Sequence, residues 1–271
     1  MDGRVVILAG RGHLPTQFAE EATMEGLEVV VVGLTPDVDA ELAKHAKEIR
    51  CLSIGRWQEV IDALHDSGAK ELCLLGKVDK RLLFSGTAMD SRFQRVLASV
   101  SQRNDESMIK AFVKDLECEG FVICEQYRLS PRSLVRAEVL SRRRPTAQEW
   151  EDIALGYELA KGIARLDIGQ TVVVKAGMVL AVEAIEGTDE CILRGGSLGQ
   201  GDVVVVKVAK PKQDPRFDMP TVGVGTIEAM AEAGARVLAC EAGLTLLIDR
   251  QETIATADRH NIALLGYESG S

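Results

Sequence analysis

The chain has no pair of cysteines two residues apart and no pair of histidines at metal-ligand spacing. Its six cysteines, Cys51, Cys73, Cys118, Cys124, Cys191 and Cys240, are scattered and mostly flanked by apolar residues. That pattern reads as small buried hydrophobes of a reducing compartment, not as disulfides or zinc ligands. With His13, His45, His65 and His260 dispersed as well, any metal is expected to be a hard ion on oxygen ligands, such as Mg²⁺. Also missing is an apolar run near the roughly 20 residues needed to cross a bilayer. The opening MDGRVVILAGRG lacks a secretory h-region and cleavage site, so a soluble cytoplasmic protein is expected. Positive charge is short too: Lys and Arg number 32 against 41 Asp and Glu, giving a net charge of -9 and a pI of about 5.1. Such a balance argues against a general nucleic-acid binder, although a local cationic site for an anion remains open. No internal repeat or low-complexity segment is present.

What is present is a normal globular mixture, 46% hydrophobic and 27% charged over 271 residues, enough for one large domain or two ordinary ones. Apolar runs at Val5 to Ala9, Glu28 to Val32, Ile49 to Leu52 and Glu71 to Leu75 read as strands. Helical stretches separate them at Thr16 to Glu25, Asp39 to Lys47 and Arg56 to Ser67. Further helices are expected over Phe93 to Ser101 and Asp105 to Glu119, with a strand near Phe121 to Cys124. The βαβ order predicts a Rossmann-like parallel sheet with helices on both faces over residues 1–130. An Arg-rich stretch, 131–145, reads as a linker. Thr146 and Glu149 form a capping box that starts a helix running to about Arg165. Thr171 to Lys175 and Met178 to Val182 then form a hairpin about Ala176 and Gly177. With a short helix near Asp189, a strand at Val203 to Val208 and the segments that follow, residues 146–271 are expected to form a mixed α/β domain.

Several loops invite chemistry. The densest is Lys207 to Gly223, KVAKPKQDPRFDMPTVG, which holds cations and carboxylates between two extended segments. Pro211, Pro215 and Pro220 keep it out of any helix. Its rigidity and mixed charge suit an anion and a metal together; a solvated surface loop is the plainer reading. Gly10 to Pro15, GRGHLP, follows a buried strand, where glycines let a backbone approach phosphate and Pro15 suits a helix start. The third glycine of a dinucleotide fingerprint is absent, and the second strand ends without the acidic residue that holds a ribose, so NAD is disfavoured. Gly76 to Lys80 would share that sheet edge. Leu166 to Gln170 and Glu186 to Asp189 are weighed against plain helix caps, Gly169 for the first and Thr188 or Asp189 for the second. Helix capping is also the default for Asn104 to Glu106. The arginines of 128–145 and a stripe of Phe93, Val96, Leu97 and Val100 flanked by Arg92, Arg95 and Arg103 offer a membrane-surface contact, against the commoner reading of a core-packed helix.

In their order along the chain, GRGHLP, GKV, LDIGQ, LAVEAIEGTD and KVAKPKQDPRFDMPTVG resemble the LpxI-type UDP-2,3-diacylglucosamine pyrophosphatases over nearly the whole length. The resemblance implies two α/β domains with substrate held between them, in a dimer; the membrane-surface contact offered by the arginines and the stripe would be a peripheral one with the inner membrane. It implies Mg²⁺-dependent hydrolysis of UDP-2,3-diacylglucosamine to UMP and lipid X, water attacking the α-phosphorus. Carried over, Asp218 is the catalytic carboxylate, either a metal ligand or the group that orients water, with Asp189 as a second ligand. Lys210 and Lys207 are implied to neutralise phosphate charge. Gly10, Gly12, Leu14, Gly76, Lys77, Gln170, Glu186, Gly187, Thr188 and Thr221 are implied substrate contacts. Rival readings are a different nucleotide-sugar diphosphatase or transferase, and a non-catalytic UDP-lipid or nucleotide sensor.

Overall fold

A computed structural model describes residues 3–35, 38–78, 89–100, 105–211 and 213–269. The chain forms two compact units, Met1–Ser130 and Pro131–Ser271.

The first unit runs β1 (Arg4–Ala9), α1 (Leu14–Met24), β2 (Glu28–Gly33), β3 (Glu48–Cys51), α2 (Trp57–Asp66), β4 (Glu71–Leu75), α3 (Ser91–Ala98), α4 (Asp105–Cys118) and β5 (Val122–Ile123). Its sheet has the order β3-β2-β1-β4-β5, and every pair is parallel. Val5, Val6 and Ile7 of the central β1 are fully buried, which is why the run shows no alternation: helices cover both faces. Each such side chain contributes roughly 1.5–3 kcal/mol of burial. The helix expected from Asp39 to Lys47 is only a 3₁₀ turn over Ala40–Lys44, because Leu42 alone of these residues is buried and no apolar stripe supports a longer element. The Phe93 stripe faces inward. Phe93 and Val96 are buried, Phe93 stacks on Phe112 at 5.1 Å, and Arg92 bonds to Asp115 and Glu119 at 2.8 and 2.6 Å. Arg103 and Asn104, with the side chains of Asp105 and Glu106, lie outside the described residues. Of the cysteines, Cys73, Cys124, Cys191 and Cys240 are buried as expected; Cys51 and Cys118 are exposed, on the edge strand β3 and the last residue of α4.

The second unit runs α5 (Ala147–Arg165), β6 (Thr171–Lys175), β7 (Met178–Val182), α6 (Thr188–Gly199), β8 (Val204–Lys207), β9 (Thr221–Val222), α7 (Val224–Glu232), β10 (Val237–Glu241), β11 (Leu246–Leu247), α8 (Arg250–Arg259) and β12 (Ala263–Tyr267). Its main sheet has the order β12-β10-β8-β6-β7. β12, β10 and β8 are parallel, β6 is antiparallel to both of its neighbours, and β9 and β11 form a separate parallel pair. The Thr146 and Glu149 box forms as expected. The β6–β7 turn uses Ala176 at φ 49° and Gly177 at φ 77°, while Asp152 accepts both of their N–H groups.

Residues 131–145, expected as a linker, are part of this second unit. Val135 is fully buried, Leu134 bridges Leu246, and Val139 bridges Leu265. Gly266 makes room for this strap, since a Cβ there would lie 2.0 Å from the Arg136 carbonyl oxygen. Arg143 is held by Glu149 at 2.7 Å.

Candidate functional site

The carboxyl ends of β7, β8 and β10 and the amino end of β6 meet at one edge of the second sheet, the usual ligand edge of open α/β folds. Buried polar residues gather there: Thr171 opens β6, Lys207 and Glu241 close β8 and β10, and Glu183 follows β7. Lys207, expected at the start of a charged loop, is instead the last residue of β8, with only 6% of its surface exposed. Its ammonium donates to Thr188 Oγ1 at 3.2 Å and to the Thr221 carbonyl at 3.0 Å. Thr188 Oγ1 in turn donates to Glu183 Oε1 at 3.1 Å and lies 3.4 Å from Thr171 Oγ1. The other oxygen of Glu183 accepts from the Gln170 N–H at 3.1 Å. Gln170 Oε1, itself buried, has no hydrogen-bond partner among the described residues. A lysine and a carboxylate buried at one edge and joined through a hydroxyl form a network whose bonds polarise and strengthen one another. Thus Gln170, Thr188, Lys207 and Thr221 come together. Glu183 and Thr171 belong with them and were missed; their place as the residue after β7 and the first residue of β6 was the available signal.

Two local expectations change here. The N-cap of α6 is Gly187 at φ 87°, with no side-chain cap bond, so Thr188 and Asp189 are not caps. Thr188 is thereby free to serve Lys207. Gly169 does not cap α5 either. Asp167 at φ 57° closes that helix, and Gly169 is required because a Cβ would lie 2.1 Å from the Glu183 carbonyl oxygen.

Glu186 turns away from the network and pairs with Arg194 at 2.5 Å. A hydrogen bond from its own backbone N–H, followed by the Arg194 guanidinium, holds its carboxyl below the usual carboxylate range. Asp189, in the first turn of α6, is exposed, and its charge there favours the helix N-terminus.

The loop between β8 and β9 is anchored at its root by a second buried group. Glu241, the last residue of β10 and 7% exposed, accepts from Tyr157 Oη at 2.9 Å and Lys161 Nζ at 2.9 and 3.0 Å. It also accepts from the Ala209 N–H at 2.7 Å, while Lys161 donates to the Ala209 carbonyl at 3.2 Å. Both main-chain groups of Ala209 are therefore clamped. Burial, with the Glu241 carboxylate beside it, pushes the Tyr157 phenol up to about 12. Beyond the clamp, Lys210 Nζ reaches Asp167 Oδ1 at 2.7 Å and its N–H reaches Gln213 Oε1 at 2.7 Å. Asp214 and Arg216 pair with each other, closing a turn in which the Phe217 and Asp218 N–H groups donate to the Asp214 carbonyl. Asp218 leaves that turn exposed, three residues before Thr221. Lys212 lies outside the described residues.

In the first unit, the strand order reverses between β1 and β4, and the two glycine loops follow those strands. They are joined backbone to backbone: Gly10 N–H donates to Leu75 O at 2.8 Å, and Arg11 and Lys77 exchange bonds at 2.7 and 2.9 Å. A Cβ on Gly10 would stand 2.6 Å from the Lys77 oxygen, and one on Gly76, at φ 86°, 2.7 Å from the Arg11 oxygen. Both glycines are thus required by this contact whatever the loops bind. Gly12 at φ 101° and half-buried Leu14 lead into α1, while Lys77 is exposed. Asp79 and Lys80 lie outside the described residues. Gly10→Ala is expected to push the loops apart and destabilise the unit by about 1–3 kcal/mol. A urea titration checks this; an unchanged midpoint would show that the loops separate without cost.

Among the described residues, no group of three or more His, Cys, Asp and Glu is placed to hold a metal ion. No described helix is long and apolar enough to cross a membrane.

These features define a two-unit α/β protein with glycine loops at the switch point of one parallel sheet and a buried cationic network at the ligand edge of the other. Residues 4–132 match the LpxI N-terminal domain and residues 136–265 the LpxI C-terminal domain. The UDP-2,3-diacylglucosamine pyrophosphatase LpxI of Caulobacter vibrioides is 33% identical over 273 residues, spanning 97% of this chain and 96% of that protein. The chain belongs to the LpxI family. The bifunctional purine biosynthesis protein PurH of Sinorhizobium fredii is 25% identical over 87% of this chain but only 39% of its own length. Among solved structures, the ADP complex of an N5-carboxyaminoimidazole ribonucleotide synthetase aligns with 69% of this chain and 42% of its own, at 15% identity and a TM-score of 0.28.

Proposed function

We propose that the protein hydrolyses the pyrophosphate of UDP-2,3-diacylglucosamine to UMP and lipid X (2,3-diacylglucosamine 1-phosphate), a step of lipid A biosynthesis. The observation that carries this reading is the buried Lys207–Thr188–Glu183 network, built from motifs of a chain that matches a UDP-2,3-diacylglucosamine pyrophosphatase from end to end. Lys207 is a fixed cation at a ligand edge, and Lys210 is a second one on the neighbouring loop; both suit the charge that builds on phosphate oxygens. Water attacks the α-phosphorus, the bond from that phosphorus to the bridging oxygen breaks, and the sugar 1-phosphate leaves with that oxygen. Asp218, an exposed carboxylate on the same loop as Lys210, is the group proposed to orient the water and take its proton. Gln170, Glu186, Gly187, Thr188 and Thr221 in the second unit and Gly10, Gly12, Leu14, Gly76 and Lys77 in the first are the proposed substrate contacts.

Mg²⁺ is part of the proposal. This ion commonly uses only one or two carboxylates and completes its shell with water and substrate phosphate. Asp218 and Asp189, both exposed carboxylates, are the proposed protein ligands. When bound, Mg²⁺ supplies positive charge to the phosphate oxygens. A cytoplasmic homodimer in peripheral contact with the inner membrane, where an acylated substrate resides, completes the reading.

The test is UMP release from UDP-2,3-diacylglucosamine with Mg²⁺. Release is expected and should stop when EDTA removes the ion. In ¹⁸O-water the label should enter UMP; label in lipid X would contradict attack at the α-phosphorus. Binding without release would favour a sensor, and release from other nucleotide sugars in preference would favour a different diphosphatase.

A further inference from the structure

We propose that Asp167 is a latch for Lys210, holding its ammonium in the ligand-free protein and yielding it to the phosphate of the incoming substrate. The proposal rests on reading Lys210 as a phosphate-neutralising cation and assigns a positioning residue to that reading.

Asp167 occupies a place where glycine is the commonest residue and where a negative charge is unfavourable. It is the αL residue that ends α5: its N–H donates to the Ala164 carbonyl, that of Ile168 donates to Ile163, and its φ is 57°. Glycine takes this conformation without steric cost and is the usual choice. A carboxylate also meets the negative end of the helix dipole, where a cation is preferred. A carboxylate held against the helix dipole is expected to serve something outside the helix. Here the carboxylate reaches Lys210 Nζ at 2.7 Å, across 43 positions of sequence.

The rest of Lys210 is held firmly. Its N–H is bound by Gln213, and the preceding Ala209 is clamped on both main-chain groups by Lys161 and Glu241. Only the side chain is left to swing. The pair itself is weak, because Asp167 is 77% and Lys210 30% exposed, and exposed ion pairs contribute little. A phosphate group brings more charge and more acceptor oxygens than one carboxylate, so exchanging partners favours the substrate. Parking the ammonium on Asp167 keeps it extended near the loop, at the expense of some anion affinity.

The experiment measures inorganic pyrophosphate binding, with Mg²⁺ present, by titration calorimetry on the full chain. Asp167→Asn removes the charge and tolerates αL; Asp167→Gly removes the charge and relieves the backbone, which guards against a folding artefact. Both are expected to tighten pyrophosphate binding about two- to fivefold, the range of an exposed pair. In a Lys210→Ala background the gain should vanish. Unchanged or weaker binding in Asp167→Asn overturns the latch, as does an equal gain without Lys210, which would mean a general charge effect. Failure of the wild type to bind pyrophosphate overturns it together with the anion-site reading. Because the readout is binding, absence of UMP release would sink the pyrophosphatase reading while leaving this cycle to stand or fall separately.

Discussion

Asp218→Asn is expected to lower kcat by about 10²- to 10⁴-fold while leaving the fold and UMP affinity nearly intact. The range is that of losing a positioned acid–base group, with any loss of metal binding included. Stability should hardly move. Asp218 is exposed at the end of the Asp214 turn, and the substitution preserves the bond from its backbone N–H to the Asp214 carbonyl. Exposed positions of this kind usually change stability by no more than about 0.5 kcal/mol. The measurement is steady-state UMP release beside a thermal melt and a UMP titration. Turnover within tenfold of wild type would remove Asp218 from the chemistry. Loss of UMP binding in parallel would instead make it a ligand contact. The Asn variant separates charge from shape more cleanly than Ala, since the amide keeps one acceptor oxygen but can neither take a proton nor carry the charge a hard ion prefers.

The fold was legible where it is written in local pattern. The unbroken apolar runs of β1 and β4, the Thr146 and Glu149 box and the Ala176–Gly177 turn each depend on residues within a few positions of one another. Expectation and structure agree there to within a residue or two. Three features were hidden for one physical reason: each depends on a partner far along the chain. The arginines of 131–145 suggested a solvated linker, yet Leu134 and Val139 are pinned by Leu246 and Leu265, more than 100 positions away. Gly169 looked like a helix cap, but its small size is demanded by the Glu183 backbone. Lys207 looked like a loop cation; it is buried because β8 is covered on both faces up to its last residue. The site shows the same division. The motif residues Gln170, Thr188, Lys207 and Thr221 do meet through hydrogen bonds. Glu241, Lys161 and Tyr157, which hold the loop, lay outside every quoted motif, and Glu183 lay inside LAVEAIEGTD without being singled out. A rule built on sheet edges would have found two of the four, because Glu241 ends β10 and Glu183 directly follows β7, each closing an apolar run with a charge.

Glu241→Ala is expected to cost about 3 kcal/mol of stability, the low end for removing one partner of a buried ion pair, because Lys161 keeps 22% of its side chain exposed. The reason lies in what remains. Lys161 would keep its ammonium with only the Ala209 carbonyl among its present acceptors, and the Ala209 N–H and the Tyr157 hydroxyl would lose theirs. Leaving a partly buried charge and two donors without these acceptors is costlier than never having brought them there. At roughly 2–4 °C per kcal/mol for a chain of this size, the melting temperature should fall on the order of 10 °C. Replacing Lys161 as well, with Lys161→Met, removes the stranded charge, and the double variant should recover much of the loss. A Glu241→Ala protein that melts with the wild type would show that water satisfies the clamp and that the pair contributes little. The consequence for function follows from Ala209. With its N–H and carbonyl released, the root of the Lys210 loop gains conformational freedom, so the double variant should regain stability without regaining kcat. Stability and turnover that recovered together would place the Glu241 clamp in the fold alone, whereas a stable, slow double variant would place it in the positioning of Lys210.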